Sequence, residues 1–164
     1  MADNLPLELT IDKASKTVTI TRVFNASQDM VWDAFTRSEF LDQWNAPKPF
    51  TARTKYMDFS VGGKRFYAMV SPDGQERWIL QTYLVINPKT HFKYFNVFAD
   101  ANENPDQFGS EWDISFSEQA GLTTVQISIF NESLERLERM LELGFKEGYA
   151  ASMANLEALL ENMQ

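Results

Sequence analysis

The chain has 164 residues, 44% of them hydrophobic and 13% aromatic, which suffices for one hydrophobic core and excludes a disordered chain. Its 15 Lys and Arg against 23 Asp and Glu give a net charge of −8, so the average surface repels phosphate backbones and we expect no nucleic-acid partner. The sequence has no cysteine, which excludes disulfides, thiolate nucleophiles and cysteine-based zinc sites.

The first residues of the chain carry no recognisable targeting signal. Residues 1–5 contain neither the basic cluster nor the apolar stretch of a secretion signal. No apolar run approaches the ~20 residues that a membrane-spanning helix needs. Together with the lack of cysteine, these features lead us to expect a cytoplasmic protein that does not bind membranes.

A β-hairpin is predicted at the start of the chain. Leu7, Leu9 and Ile11 alternate with polar residues, and the alternation resumes at Val18 after a polar turn. An apolar period of two residues is typical of a half-buried strand. The pattern therefore predicts two paired strands, of which the second ends near Phe24.

Two short helices are predicted to follow the hairpin. Ser27 is a suitable N-cap for a first helix, whose apolar face includes Val31 and Phe35. Ser38 is predicted to cap the second helix in the same way. Pro47 limits this second helix, because proline cannot continue the helical hydrogen-bond pattern.

The central part of the sequence, residues 50–130, predicts five or six antiparallel strands. Apolar residues recur there with a period of two, and glycine, proline and asparagine clusters interrupt them. In the clearest strand, Trp112 and Phe116 face one way, while Glu111 and Asp113 face the other. Such a sheet has one wet face and one covered face, so the two acidic residues are predicted to lie outside.

The last part of the chain predicts one long amphipathic helix that covers this sheet. Apolar residues recur from Leu134 to Met163 at spacings of three and four. Gly144 and Gly148 lie four residues apart on the predicted buried side, where each costs about 1 kcal/mol relative to alanine. Either they leave room for a ligand between helix and sheet, or they let the helix touch the sheet or bend.

The order of these elements predicts a single α+β domain over residues 1–164. The sequence shows no linker, repeat or low-complexity segment that would divide it. One helix covering one sheet should also unfold in one cooperative transition.

Short motifs recur along nearly the whole chain. They lie at residues 20–26, 31–36, 43–47, 58–63, 72–74, 87–88, 124–125 and 148–149. In order and spacing they resemble motifs of the START-like (SRPBCC, helix-grip) superfamily, and in particular the family named after the activator of the heat-shock protein 90 ATPase. The resemblance implies a helix-grip fold, in which a curved antiparallel sheet wraps around a long C-terminal helix and two short helices lie between the first strands. Ser60, where the family often has arginine, and Asn45-Ala46 depart from the pattern and suggest a pocket with its own specificity.

The resemblance also implies a cavity for a small apolar or aromatic molecule between the sheet and the last helix. Many large rings are available for its walls, with ordinary core packing as the alternative role for each. Asn96 could point into the cavity or face water. The predicted ligand-binding residues are Trp112, Phe145, Tyr149, Tyr83, Tyr94, Gly144, Gly148 and Asn96.

Non-enzymatic binding of such a molecule is the leading hypothesis, and two alternatives remain open. The first is a cyclase or hydrolase that uses the same cavity, with Asp58, a tyrosine or His91 as the acid or base. The second is a co-chaperone-like module that binds a heat-shock chaperone. Asp58 and Arg65 are close enough in sequence to pair across a hairpin. No metal-ligand spacing and no nucleotide-binding motif is present, so the sequence predicts neither a metal nor a cofactor.

Overall fold

The computed structural model of the protein describes residues 7–164. Within that range the alternating segments form eight strands and the 3.6-residue patterns form four helices. The strands are β1 (Leu7–Asp12), β2 (Thr17–Phe24), β3 (Thr51–Met57), β4 (Lys64–Val70), β5 (Glu76–Asn87), β6 (His91–Ala99), β7 (Ser110–Gln119) and β8 (Leu122–Asn131). The helices are α1 (Gln28–Thr36), α2 (Ser38–Trp44), α3 (Leu134–Glu142) and α4 (Phe145–Asn162).

All eight strands belong to one antiparallel sheet with the order β1-β2-β8-β7-β6-β5-β4-β3. The sheet is curved and does not close into a barrel. The predicted amino-terminal hairpin is β1 and β2, and the six strands from β3 to β8 agree with the predicted five or six. Both predictions are confirmed because each strand carries its own period-two pattern.

The main core lies between the concave face of this sheet and α4. Register places alternate residues of neighbouring strands on the same face, and the apolar ones point inward. Met153, Leu156 and Leu160 of α4 are buried against them. The sheet contributes Val18, Ile20, Phe24, Phe92, Ile114, Phe116, Val125, Ile127 and Ile129. The predicted α+β helix-grip fold is therefore confirmed.

Helices α1 and α2 follow each other with a single residue between them. The Ser27 side chain accepts a hydrogen bond from the Met30 amide at 3.2 Å, which confirms Ser27 as the N-cap of α1. The prediction for Ser38 is wrong, because Ser38 is the first residue of α2 and Arg37 occupies the cap position. The Arg37 carbonyl already accepts the amide of Leu41 at 2.9 Å. Because Arg37 is the one residue between α1 and α2, it takes the cap position and Ser38 lies within the helix.

The predicted single C-terminal helix is two helices, and this is a correction. Gly144 has φ +85°, in the left-handed region, and stands as the N-cap of α4 directly after α3 and Leu143. An α-helix cannot pass through a left-handed residue, although the apolar spacing runs on through the break. Gly144 and Gly148 therefore do not lie on the same side of one helix. No helix among residues 7–164 is both long enough and apolar enough to cross a membrane.

Candidate ligand-binding site

A small cavity lies on the concave face, where α2 and the first turn of α4 approach strands β4 to β7. The cavity has a free volume of about 20 Å³, which is room for about one water molecule. Aromatic rings and polar side chains contribute together to its walls. They belong to Phe35, Leu41, Trp44, Asn45, Arg65, Gln81, Tyr83, Phe92, Tyr94, Ile114 and Tyr149.

Three of the predicted aromatic residues line this cavity. Tyr83 of β5 lies opposite Tyr94 of β6, and the two ring centroids are 6.1 Å apart. Tyr149 approaches from the amino-terminal end of α4. Sheet register and the start of α4 thus bring together side chains that are far apart in sequence.

The other two predicted aromatic residues contact Tyr149 but do not line the cavity. Trp112 and Phe145 lie with their ring centroids 5.6 Å and 5.4 Å from that of Tyr149. The Trp112 indole N–H donates to the Ser110 hydroxyl at 3.1 Å, which satisfies its polar end. The two rings form a wall next to Tyr149, and a ligand role for them stays a prediction.

The predicted asparagine and glycines are also outside the cavity lining. Asn96 accepts a hydrogen bond from the Gln81 side chain at 3.0 Å, so it orients a residue that does line the cavity. A Cβ atom at Gly148 would lie 3.8 Å from the Pro47 side chain, and so faces the segment after α2. A Cβ atom at Gly144 would meet only the Glu147 carboxylate at 4.0 Å.

A row of polar residues crosses the concave face, and sequence reasoning missed it. Strand register places Arg65, Gln81, Asn96, Ser110 and Asn131 directly opposite one another across β4 to β8. All except Asn96 are at least nine-tenths buried. The alternation within each strand could have shown which of its residues share a face. Only the register between strands shows that the five polar residues form one row.

Arg65 is the one charged residue of this row, and only 1% of its surface is exposed. Its Nε atom donates to the Thr54 hydroxyl at 3.2 Å, and its guanidinium carbon lies 3.7 Å from the Tyr67 ring centroid. Its acidic neighbour is Asp42, at 3.6 Å. The predicted pairing with Asp58 is wrong, because that carboxylate turns outward and accepts from the Ser60 hydroxyl at 2.9 Å.

The tyrosines of the cavity remain protonated. Burial raises the pKa of Tyr83, and the Arg65 charge opposes part of that rise. Burial raises the pKa of Tyr94 and Tyr149 above the ordinary value as well. A neutral phenol can donate a hydrogen bond but is a poor proton acceptor. These hydroxyls are therefore suited to hold an acceptor atom of a ligand.

The acid and base candidates of the enzyme hypothesis lie away from this cavity. His91 contacts the Asp113 carboxylate, and Asp113 also lies opposite Lys93 on the outer face of the sheet. As predicted, Glu111 shares that face and pairs with Lys93 at 2.6 Å. Neither Asp58 nor His91 is part of the cavity lining. Residues 7–164 contain no group of three side chains arranged to hold a metal ion.

Alanine at the two glycines near the start of α4 should have opposite effects on stability. Gly144→Ala is expected to lower the free energy of unfolding by about 1–2 kcal/mol, because a side chain in the left-handed region clashes with its own backbone. Gly148→Ala is expected to raise it by about 0.5–1 kcal/mol, since its new methyl group makes an ordinary contact inside a helix. Urea denaturation measures both. Equal changes of the same sign would contradict the helix break at Gly144.

A curved antiparallel sheet that grips a C-terminal helix, with a small cavity between them, defines a helix-grip domain of the ligand-binding type. The chain belongs to the family described as Activator of Hsp90 ATPase homolog 1-like protein, whose sequence profile matches residues 25–161. The family to which the motifs pointed is thereby confirmed.

Solved structures of bacterial proteins share this fold. Ms6760 from Mycobacterium smegmatis is 26% identical with a TM-score of 0.89, over 97% of this chain and 100% of that one. A protein from Staphylococcus epidermidis is 25% identical with a TM-score of 0.83, over 94% and 95%. A protein from Arthrobacter aurescens is 24% identical with a TM-score of 0.90, over 94% and 91%. A search of curated proteins found no match.

Proposed function

We propose that the protein binds a small molecule with an aromatic or apolar body in the cavity between the sheet and α4, without transforming it. One observation carries this proposal. The rings of Tyr83, Tyr94 and Tyr149 and the polar side chains of Arg65 and Gln81 converge on one small cavity. Apolar walls with a few convergent polar groups are the usual composition of a small-molecule site.

Binding requires the cavity to open, because typical ligand sites have volumes of about 300–1,000 Å³. The first turn of α4 is the element best suited to move. It begins after the left-handed Gly144 with no side-chain cap, and the neighbouring Leu143 is 59% exposed. A shift of this turn would carry Tyr149 and Phe145 outward together, since their rings are stacked. Ligand would then enter the space that opens between Tyr149 and the sheet.

The two alternatives have weaker support. An enzyme that used this cavity would need a proton acceptor there. The three cavity tyrosines have raised pKa values, so they stay protonated and cannot take that role. A heat-shock chaperone partner is suggested only by the family description and stays a prediction. A pull-down with the purified chaperone tests it. The absence of a nucleic-acid partner likewise stays a prediction from the net charge.

The proposal is tested by enlarging the cavity. Tyr149→Ala removes one wall, so the affinity for an apolar fluorescent dye should rise several-fold over that of the unsubstituted protein. Tyr56→Ala is the matched control, because that ring is 37% exposed and its hydroxyl contacts Glu103 outside the cavity. Circular dichroism confirms that both variants fold.

Native mass spectrometry of protein purified from its own host supplies an independent test. A retained small molecule would identify the ligand class directly. Equal dye affinity in all three proteins, together with a mass that matches the bare polypeptide, would overturn the proposal.

A further inference from the structure

The buried guanidinium of Arg65 is unusual in lacking a full set of partners. A buried charge costs several kcal/mol unless hydrogen bonds and an opposite charge surround it. The Arg65 Nη2 atom is inaccessible to solvent and has no hydrogen-bond partner among residues 7–164. Arg65 is one of the residues that line the cavity. The Nη2 N–H groups of Arg65 are therefore left without hydrogen-bond acceptors at the candidate site.

The nearest acid does not use these donors. Asp42 Oδ1 lies 3.6 Å from Nη2, beyond hydrogen-bond length. That oxygen instead accepts the Thr54 hydroxyl at 2.6 Å and the Thr54 amide at 3.0 Å. Thr54 also accepts from Arg65 Nε. Asp42 and Thr54 thus fix the guanidinium from one side and leave Nη2 free.

The other polar groups that line the cavity beside Arg65 carry no negative charge. The hydroxyls of Tyr83, Tyr94 and Tyr149 stay protonated, as their raised pKa values require. The Gln81 amide N–H₂ is directed to Asn96. A group that only accepts hydrogen bonds and carries negative charge suits this surrounding best. A carboxylate has that chemistry, and its two oxygens match the planar geometry of a guanidinium.

We propose that the cavity selects a ligand that carries a carboxylate, with Arg65 Nη2 as its anchor and the aromatic walls around its apolar body. This inference rests on the proposed function, because it names the class of molecule that the same cavity takes. Asp42 and Thr54 are positioning residues that hold the guanidinium for its ligand.

The test compares naphthoate with naphthamide, which have nearly the same shape and differ in charge. The unsubstituted protein should bind naphthoate at least about tenfold more tightly, as expected for hydrogen bonds to a charged group. Arg65→Met should abolish this preference, so that its affinities for naphthoate and naphthamide lie within about twofold of each other. Arg53→Met is the matched control, because that arginine is exposed on β3 and pairs with Glu76. It should keep the full preference.

Thermal unfolding with and without naphthoate provides a second readout. Naphthoate should raise the midpoint of the unsubstituted protein and of Arg53→Met, because a ligand that binds the folded state stabilises it. The midpoint of Arg65→Met should rise by clearly less, and an equal rise in this variant would overturn the inference.

The outcomes separate this inference from the proposed function. Equal affinities for naphthoate and naphthamide, or binding of the apolar dye with no binding of either naphthalene compound, overturn the carboxylate anchor and leave the cavity as a binding site. If the dye also fails to bind both to the unsubstituted protein and to Tyr149→Ala, the proposed function fails, and the anchor fails with it.

Discussion

A chain shortened to residues 1–132 is expected not to fold. The deletion removes α3 and α4, and with them the buried side chains of Met153, Leu156 and Leu160. The concave face would then expose its apolar residues to water, at roughly 25 cal/mol for each Å² uncovered. Because a domain has only about 5–15 kcal/mol of net stability, this loss exceeds what the remaining sheet can supply. Near-ultraviolet circular dichroism and urea titration should show no cooperative transition, whereas the full chain should show one.

Point substitutions within the deleted segment give the matched control. Leu156→Ala should lower the free energy of unfolding by about 2–5 kcal/mol, because Leu156 is fully buried between α4 and the sheet. Leu143→Ala should change it by less than about 0.5 kcal/mol, since this leucine is 59% exposed. A truncated chain that stays folded would show that the core lies elsewhere.

Breaking the buried ion pair between the sheet and α4 is expected to have the second largest effect. Arg22 of β2 and Glu157 of α4 form this pair, with only 8% and 18% of their side chains exposed. Glu157→Leu leaves the Arg22 charge buried without its acid, and we expect a loss of about 3 kcal/mol. The Arg22 side chain also donates to the Val23 carbonyl and lies 4.7 Å from the Phe24 ring centroid, so it is not free to turn outward. Urea denaturation measures the change.

The double variant Arg22→Met with Glu157→Leu separates the cost of an unpaired charge from the loss of packing. Removing both charges is expected to restore most of the lost stability, because apolar side chains of similar size replace a buried ion pair at little cost. If the double variant were as unstable as the single one, the loss would come from packing around Glu157.

Local patterns predicted much of the fold. The strands β3 to β8 follow from alternation that each segment carries by itself, as in Trp112 and Phe116 against Glu111 and Asp113. Ser27 caps α1 through a hydrogen bond to a residue three positions away, so the sequence contains the whole interaction. The family resemblance then supplied the helix-grip arrangement, in which a curved antiparallel sheet wraps around a C-terminal helix. Local interactions can be predicted because their partners are near in sequence.

The break between α3 and α4 and the centre of the cavity were decided by tertiary structure. Gly144 is compatible with a helix or with a left-handed turn, and only its place between two packed helices selects the turn. From the sequence, a charged residue in a strand such as Arg65 would be expected on the solvent-exposed face. It is buried because β4 register places it opposite Gln81, and because Thr54 and Asp42 approach it from β3 and α2. Contacts between distant segments leave no periodic signal. The sequence therefore determined the strands and the first two helices, whereas the tertiary structure decided the break at Gly144 and assembled the site.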